Sequence, residues 1–483
     1  MKTRSRLLAL LLAAVMVMAL FAACGGDDKP ETTMAGTDGT SKATDTSSEA
    51  TTPASETTPA ETTVDYSKLK GYELTIANNG DVFPAMAEDG SYASQSEEEL
   101  ADQLADLEDR LDVTIEDEYL PGDMLEQLLA ASMGGTKLFD LLWARQNKFW
   151  PAAKANAILP LDDPRLVNEG LDYTDETRWY QATVRCSEMF GHPWSLNVAS
   201  EYVMAQTGYF ITFNKELCKS AGYDDMYQLV RDGKWTWDVY RDIAKKTTKD
   251  TNGDGTPDTW GTGATAWGNE IATNGIQPIG EVDGKWRLLL DTEPGIRALQ
   301  FLYDMNYGDG TRMEAESSGA AREAFANGTV TFNWAGMGHI NGAGEIIYNS
   351  EHDYGIIPMP KGPDATEYCS MHNNLDAFII QSTNHDLDKV VPILNEWALI
   401  LNDTESYLNI LDDGRCRTEE DKEMMAEYII PNFTVKISTV CPDADDLIGD
   451  IIGGVSYDGK TPKQAVEEYA ASINAALDAF FEQ

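Results

Sequence analysis

Between Lys249 and Gly261 the chain reads KDTNGDGTPDTWG, and its oxygen-bearing side chains fall at alternate positions. Asp250, Asn252 and Asp254 would occupy places 1, 3 and 5 of a calcium loop, with Gly255 at the sixth place, where the backbone turns sharply. Thr256 offers its carbonyl at the seventh place and Asp258 its carboxylate at the ninth. All are hard ligands with no Cys or His among them, so calcium suits the set better than zinc or copper. The twelfth place, where a bidentate Glu would close the shell, is Gly261, and no second helix follows. The expectation is a structural calcium ion that pins a surface loop, neither a switch nor a catalytic metal.

A second group of residues suggests solute recognition. In open α/β sheets, ligands sit beyond the carboxyl ends of the strands. Asn78, Asn79 and Asp81 follow the first predicted strand, Trp143 and Arg145 follow a buried one, and Trp334 follows a strand at 329–333. An indole face packs on the C–H face of a pyranose, while Asn, Asp and Arg bind its hydroxyls. With 11 Trp in the chain, several must instead be structural. Signals for catalysis are poor. The five His are scattered, with no HExxH and no Ser-His or Cys-His spacing. Gly261-Thr-Gly263-Ala-Thr-Ala266 mimics a dinucleotide fingerprint but follows an acidic turn rather than a buried strand. The sequence therefore points to a binding protein rather than an enzyme. A lipid-anchored extracellular glycoside hydrolase is the alternative, because carboxylates are too abundant for a catalytic pair to be ruled in or out.

These residues need a scaffold. Tyr72, Leu74 and Ile76 alternate as in a strand; Leu100, Leu104, Leu107 and Leu111 stripe one face of a helix. Val113–Ile115 forms the next strand, Met124, Leu125, Leu128 and Leu129 the next helix, and Leu138–Trp143 a buried strand. Strands alternating with helices imply α/β architecture with mainly parallel sheets. The cadence restarts at Tyr209–Phe213, with helices over Trp237–Thr247 and after Thr292-Glu-Pro294. Thr461-Pro-Lys-Gln464 reads as a capping box for a final helix striped by Val466, Tyr469, Ile473 and Leu477. About 410 residues of such pattern are too many for one ordinary domain and predict two lobes.

The ends address the protein. Lys2, Arg4 and Arg6 precede an apolar run, Leu7–Phe21, and then Ala22-Ala23-Cys24, so residues 1–23 read as a secretory signal. Cys24 after two alanines resembles the bacterial lipoprotein box, with Phe21 where Leu is usual. That resemblance implies acylation of Cys24 (palmitate among the acyl chains) and a site at the outer face of the cell membrane. Residues 24–68, rich in Thr, Ser, Pro and Glu, predict a disordered tether. With 81 acidic residues against 36 basic ones, the chain carries a net charge of −45. Such a surface repels nucleic acid and anionic headgroups. Cys186, Cys218, Cys369, Cys416 and Cys441 contain no CxxC pair; a Cys416–Cys441 disulfide stays open at this level.

Four segments then occur in a recognisable order: YFITFNKELCKSAG (209–222), GKWTWDVYRDIAKKTTKDTNGDGTPDTWG (233–261), AREAFANGTVTFNWAG (321–336) and DYGIIPMPKGPD (353–364). They resemble the extracellular solute-binding proteins of ABC importers, of the carbohydrate-binding, maltose-binding-protein-like type. The resemblance covers about 70–483. It implies a two-lobed periplasmic-binding-protein-like fold with hinge crossovers, and a solute, an oligosaccharide above all, held in the interlobe cleft. It also implies delivery to the membrane subunits of an importer by a monomer. The implied lobes are 70–192 with 332–395 and 198–328 with 400–483. Trp194 then lies at the first crossover, and Trp267 where many members reach the cleft. The long stretch at 192–208 departs from the family, which crosses more briefly.

Overall fold

The computed structural model describes residues 66–78, 95–198, 208–263, 268–340, 345–372, 374–401 and 415–482, all within one compact unit spanning Thr63–Gln483. It opens with β1 (Tyr72–Asn78), α1 (Gln95–Leu111) and β2 (Val113–Tyr119). It continues through α2 (Met124–Met133), β3 (Leu141–Arg145), α3 (Gln146–Lys154) and α4 (Gln181–Cys186). The predicted stripe is real: Leu107 and Leu111 of α1 are buried. α2 begins where the Asp123 carboxylate accepts from the Glu126 amide at 3.1 Å, satisfying one of the free amides of the first turn.

Next come β4 (Phe210–Asn214), α5 (Trp237–Thr247), β5 (Trp260–Thr262) and α6 (Asn269–Thr273). A hairpin, β6 (Ile279–Val282) and β7 (Lys285–Leu288), precedes α7 (Glu293–Tyr303). Then follow β8 (Val330–Ala335), β9 (Tyr354–Pro358), β10 (Ser370–His372), β11 (Asp376–Ile379) and α8 (Leu387–Leu401). The chain closes with β12 (Phe433–Val435), α9 (Pro442–Ser456) and α10 (Pro462–Phe481). The capping box forms as expected. Gln464 donates its amide to Thr461 Oγ1, and Gln464 Oε1 accepts from the Thr461 amide at 3.1 Å.

Two four-stranded sheets organise these elements. The first runs β11-β3-β1-β2 and the second β5-β8-β4-β9. In the first, β1 is parallel to both β2 and β3, and β11 joins β3 antiparallel. In the second, β5 and β8 are parallel, but β4 is antiparallel to both β8 and β9. The architecture is the two-lobed α/β one expected, with the second sheet mixed rather than mainly parallel. Separately, β10 and β12 form a parallel pair between the stretches that serve the two sheets.

The pairing corrects the implied division at residue 332. β8 and β9 lie on either side of β4, so residues 330–358 belong to the second sheet. Only from β11 onward does the chain rejoin the first, where α8 packs against α1. An unbroken apolar strand such as Val330–Ala335 signals a central position but not which sheet surrounds it. The tether estimate also shortens at its end. Tyr66–Lys68 forms a short 3-10 turn, and Tyr66 donates to Glu396. Cys24, the signal segment and the rest of the tether lie outside the described residues. No helix among the described residues is long and apolar enough to cross a membrane.

Candidate functional site

The carboxyl ends of the parallel strands are Asn78 and Arg145 in the first sheet and Thr262 and Ala335 in the second. Of the seven predicted solute residues, Asn79, Asp81 and Trp267 lie outside the described residues. Asn78 itself is buried and donates from Nδ2 to Asp117.

Trp143 and Trp194 are corrected. Trp143 lies within β3 and packs edge-on against Phe378, with ring centroids 4.7 Å apart, and Phe378 in turn packs on Trp397. That is the core of the first lobe. Trp194 is buried beside Phe190, and its Nε1 donates to the Met189 carbonyl at 2.7 Å. Neither indole offers a stacking face to a solute; each is core packing of the ordinary kind. Arg145 does stand at a strand end, half-exposed, but its guanidinium grips Asp376 with two bonds of 3.0 Å.

Trp334 lies inside β8, opposite Ile211, rather than after the strand. It is 2% exposed, and its Nε1 has no hydrogen-bond partner among the described residues. The indole N–H is directed at the Tyr240 hydroxyl and favours its ionised form. Tyr240 Oη sits 2.8 Å from Thr262 Oγ1.

The sequence reading missed the group beside it. Glu270 lies in α6, just past the carboxyl end of β5. It is 1% exposed, and neither carboxylate oxygen has a partner among the described residues. Burial pushes its carboxyl up to about 8; the amides of Glu270 and Gly268 and the nearby Arg312 charge act against that rise. Asn333 Oδ1, buried in β8, is likewise unpartnered. Such groups are normally paired; Asn333, the neighbour of Trp334 in β8, points to the opposite face of the sheet beside Thr212, whereas Trp334 and Glu270 both act on Tyr240. α6 is fixed firmly beside them: Asn269 Oδ1 accepts from the Met371 amide at 2.8 Å, and its Nδ2 donates to the Met371 carbonyl at 3.3 Å. Met371 belongs to β10. The sequence signal for Glu270 was a lone charge before Ile271 and Ala272, too slight to separate from a solvated face.

A cavity of about 280 Å³ opens between α5, α7 and residues 361–363. Its guanidinium groups are already engaged, Arg241 by Asp309 and Arg297 by Asp364.

In the acidic loop, the side chains serve the backbone. Asp250 accepts from the Gly253 and Gly255 amides at 2.6 and 2.8 Å, and Asn252 and Asp254 accept from Asp254 and Thr256 at 2.9 and 2.8 Å. Asp258 accepts from the Thr251 and Asn252 amides. Among the described residues no three acidic, His or Cys side chains converge as metal ligands. Asp250 still faces Gly255 across the turn as a calcium loop requires, but Asp258 is turned toward the start of the loop. No disulfide links the five described cysteines.

With the fold and strand ends defined, the likenesses to known proteins take on meaning. The family described as bacterial extracellular solute-binding protein matches residues 92–390, more than half of the chain. No curated protein matches the sequence. Solved structures do match. An ABC substrate-binding protein of Listeria monocytogenes in complex with cycloalternan aligns at 14% identity and a TM-score of 0.55, over 84% of this chain and 99% of that one. Mycobacterium tuberculosis UgpB with glycerophosphocholine aligns at 16% and 0.55, over 80% and 96%. The Thermus thermophilus maltotriose binding protein with maltotriose aligns at 15% and 0.52, over 83% and 99%. The fold is that of two-lobed solute-binding proteins. The chain belongs to the bacterial extracellular solute-binding protein family, and it binds a solute.

Proposed function

We propose that the protein captures an oligosaccharide between its lobes and delivers it to the membrane subunits of an ABC importer, without turning it over. The observation that carries this reading is the fold likeness, over 84% and 83% of this chain, to proteins solved with cycloalternan and with maltotriose. The same fold also accepts other polar solutes, as in the structure solved with glycerophosphocholine. Calorimetry with maltotriose, cycloalternan and glycerophosphocholine tests it directly. Sugar binding should be accompanied by compaction in solution scattering as the lobes close by hinge motion. Saturation by glycerophosphocholine alone would replace the oligosaccharide reading.

The anchoring follows from the sequence. Acylated Cys24 would hold a monomer at the outer face of the membrane, and Cys24→Ala should release the protein into the medium. The acidic loop is proposed to take calcium weakly, about 10⁻⁴–10⁻³ M as in extracellular modules. Asp258 must first exchange its backbone hydrogen bonds for the ion. Calorimetry after chelation should show calcium uptake that Asp254→Ala abolishes while solute affinity holds. Loss of solute binding on chelation would move the ion into the cleft.

A further inference from the structure

We infer that Glu270, which has no side-chain partner among the described residues, is a recognition residue of the second lobe whose carboxyl meets hydroxyl groups of the bound sugar. The inference rests on the oligosaccharide reading and adds to it a residue and a chemical selectivity.

Burying a carboxyl with no hydrogen bond is among the least favourable arrangements in a protein interior. This chain can do better. Asp140, equally buried, is held by the Tyr72 hydroxyl at 2.7 Å, the Thr75 amide at 3.0 Å and Lys137 at 2.7 Å. Among the described residues Glu270 has no side-chain partner of the kind, only the influence of its own amide and that of Gly268. It lies in the connection that follows the carboxyl end of β5, the side on which solutes of open α/β sheets bind.

The neighbouring groups narrow the ligand. Among the described residues the Trp334 indole N–H completes no hydrogen bond to protein within bonding geometry, and the Glu270 oxygens accept none. A hydroxyl donates and accepts at once, so a polyol can serve the indole N–H and the carboxyl together. Arg312 acts electrostatically on Glu270, which disfavours a cationic solute. The position is also connected to the crossover. Asn269, the adjacent residue, is bonded at two points to Met371 of β10, so a solute seated on Glu270 lies one residue from the strand between the sheets.

The experiment compares full-length wild type with Glu270→Gln and Glu270→Leu, by thermal melting without solute and by calorimetry with maltotriose and cycloalternan. The expected result is a Leu variant that melts about 2–4 °C higher yet binds sugar at least 10-fold more weakly, with Gln in between for affinity. A Leu variant that melts lower, or that binds sugar as wild type does, overturns the assignment and makes Glu270 a structural residue. Wild type that binds neither sugar overturns the oligosaccharide reading and with it the hydroxyl selectivity. That failure is told apart from failure of the residue because it is seen before any substitution.

Discussion

Asp421 and Glu270 are carboxylates of nearly equal burial, 0% and 1% exposed, and they are treated oppositely. Asp421 accepts from the Tyr227 hydroxyl at 2.6 Å, the Ile356 amide at 2.7 Å and the Arg417 and Thr418 amides, each at 3.1 Å. It ties α-helical sequence near residue 420 to β9 and to the segment before it. Glu270 ties nothing. A buried carboxyl with every lone pair met is architecture; one left unmet must be explained by what it awaits. The contrast separates the part of the molecule that holds the fold from the part that faces the solute.

The comparison can be broken at either end. Asp421→Ala should cost about 3–5 kcal/mol, because three amides and a hydroxyl lose their acceptor together; denaturant unfolding measures it, and a cost under about 1 kcal/mol would erase the distinction. Trp334→Ala should cost about the same by leaving a cavity in the core. Trp334→Phe, which removes the unmet N–H but keeps most of the ring, should cost less than about 1.5 kcal/mol while weakening sugar binding. Undiminished sugar binding by Trp334→Phe would show that the N–H is of no consequence to the solute.

A smaller effect should appear in the pH dependence. Glu270 has its carboxyl raised from 4.5 to about 8 in the folded protein. Below about 4.5 both folded and unfolded chains hold the proton, and no penalty exists. Between 4.5 and about 8 the unfolded chain releases it first, so stability falls as pH rises and levels off above 8. Relative to Glu270→Gln, wild type should therefore lose on the order of 1–3 kcal/mol across that window, read from unfolding midpoints of both proteins at matched pH. A flat difference would mean the carboxyl finds a partner in solution. Smallest of all is Arg145→Ala. The Arg145–Asp376 pair is half-exposed on the Arg side, and its loss should change stability by roughly 0.2–1 kcal/mol and sugar affinity little, unless the solute displaces Asp376.

Local features were readable in the chain and long-range ones were not. The capping box at Thr461 and the stripe of α1 depend on residues a few positions apart, and both stand as expected. The division of the lobes depended on which strand lies beside β4, a pairing set by residues more than a hundred positions away. The tryptophans show a second limit. Trp143 and Trp334 have the strand placement of sugar platforms and Trp194 the crossover placement, yet a core and a cleft both favour a large aromatic at such positions. Only the partners of each indole N–H distinguish them: Met189 for Trp194, none for Trp334. Glu270 escaped because its lack of partners is a property of the folded surroundings and leaves no mark on the sequence.

The strand order β11-β3-β1-β2 carries a kinetic consequence. β3 and its neighbour β11 meet through Arg145 and Asp376, 231 residues apart along the chain. A chain growing from its amino end makes β1, β2 and β3 early, but the outer edge of β3, Leu141–Ala144, has no partner until residue 379 exists. That edge is apolar, and unpaired apolar edges invite association with other chains. Closing so long a loop also slows folding. The nascent first lobe is thus an open template for most of its synthesis, and a chain cut short before β11 should accumulate as aggregate rather than as a soluble half.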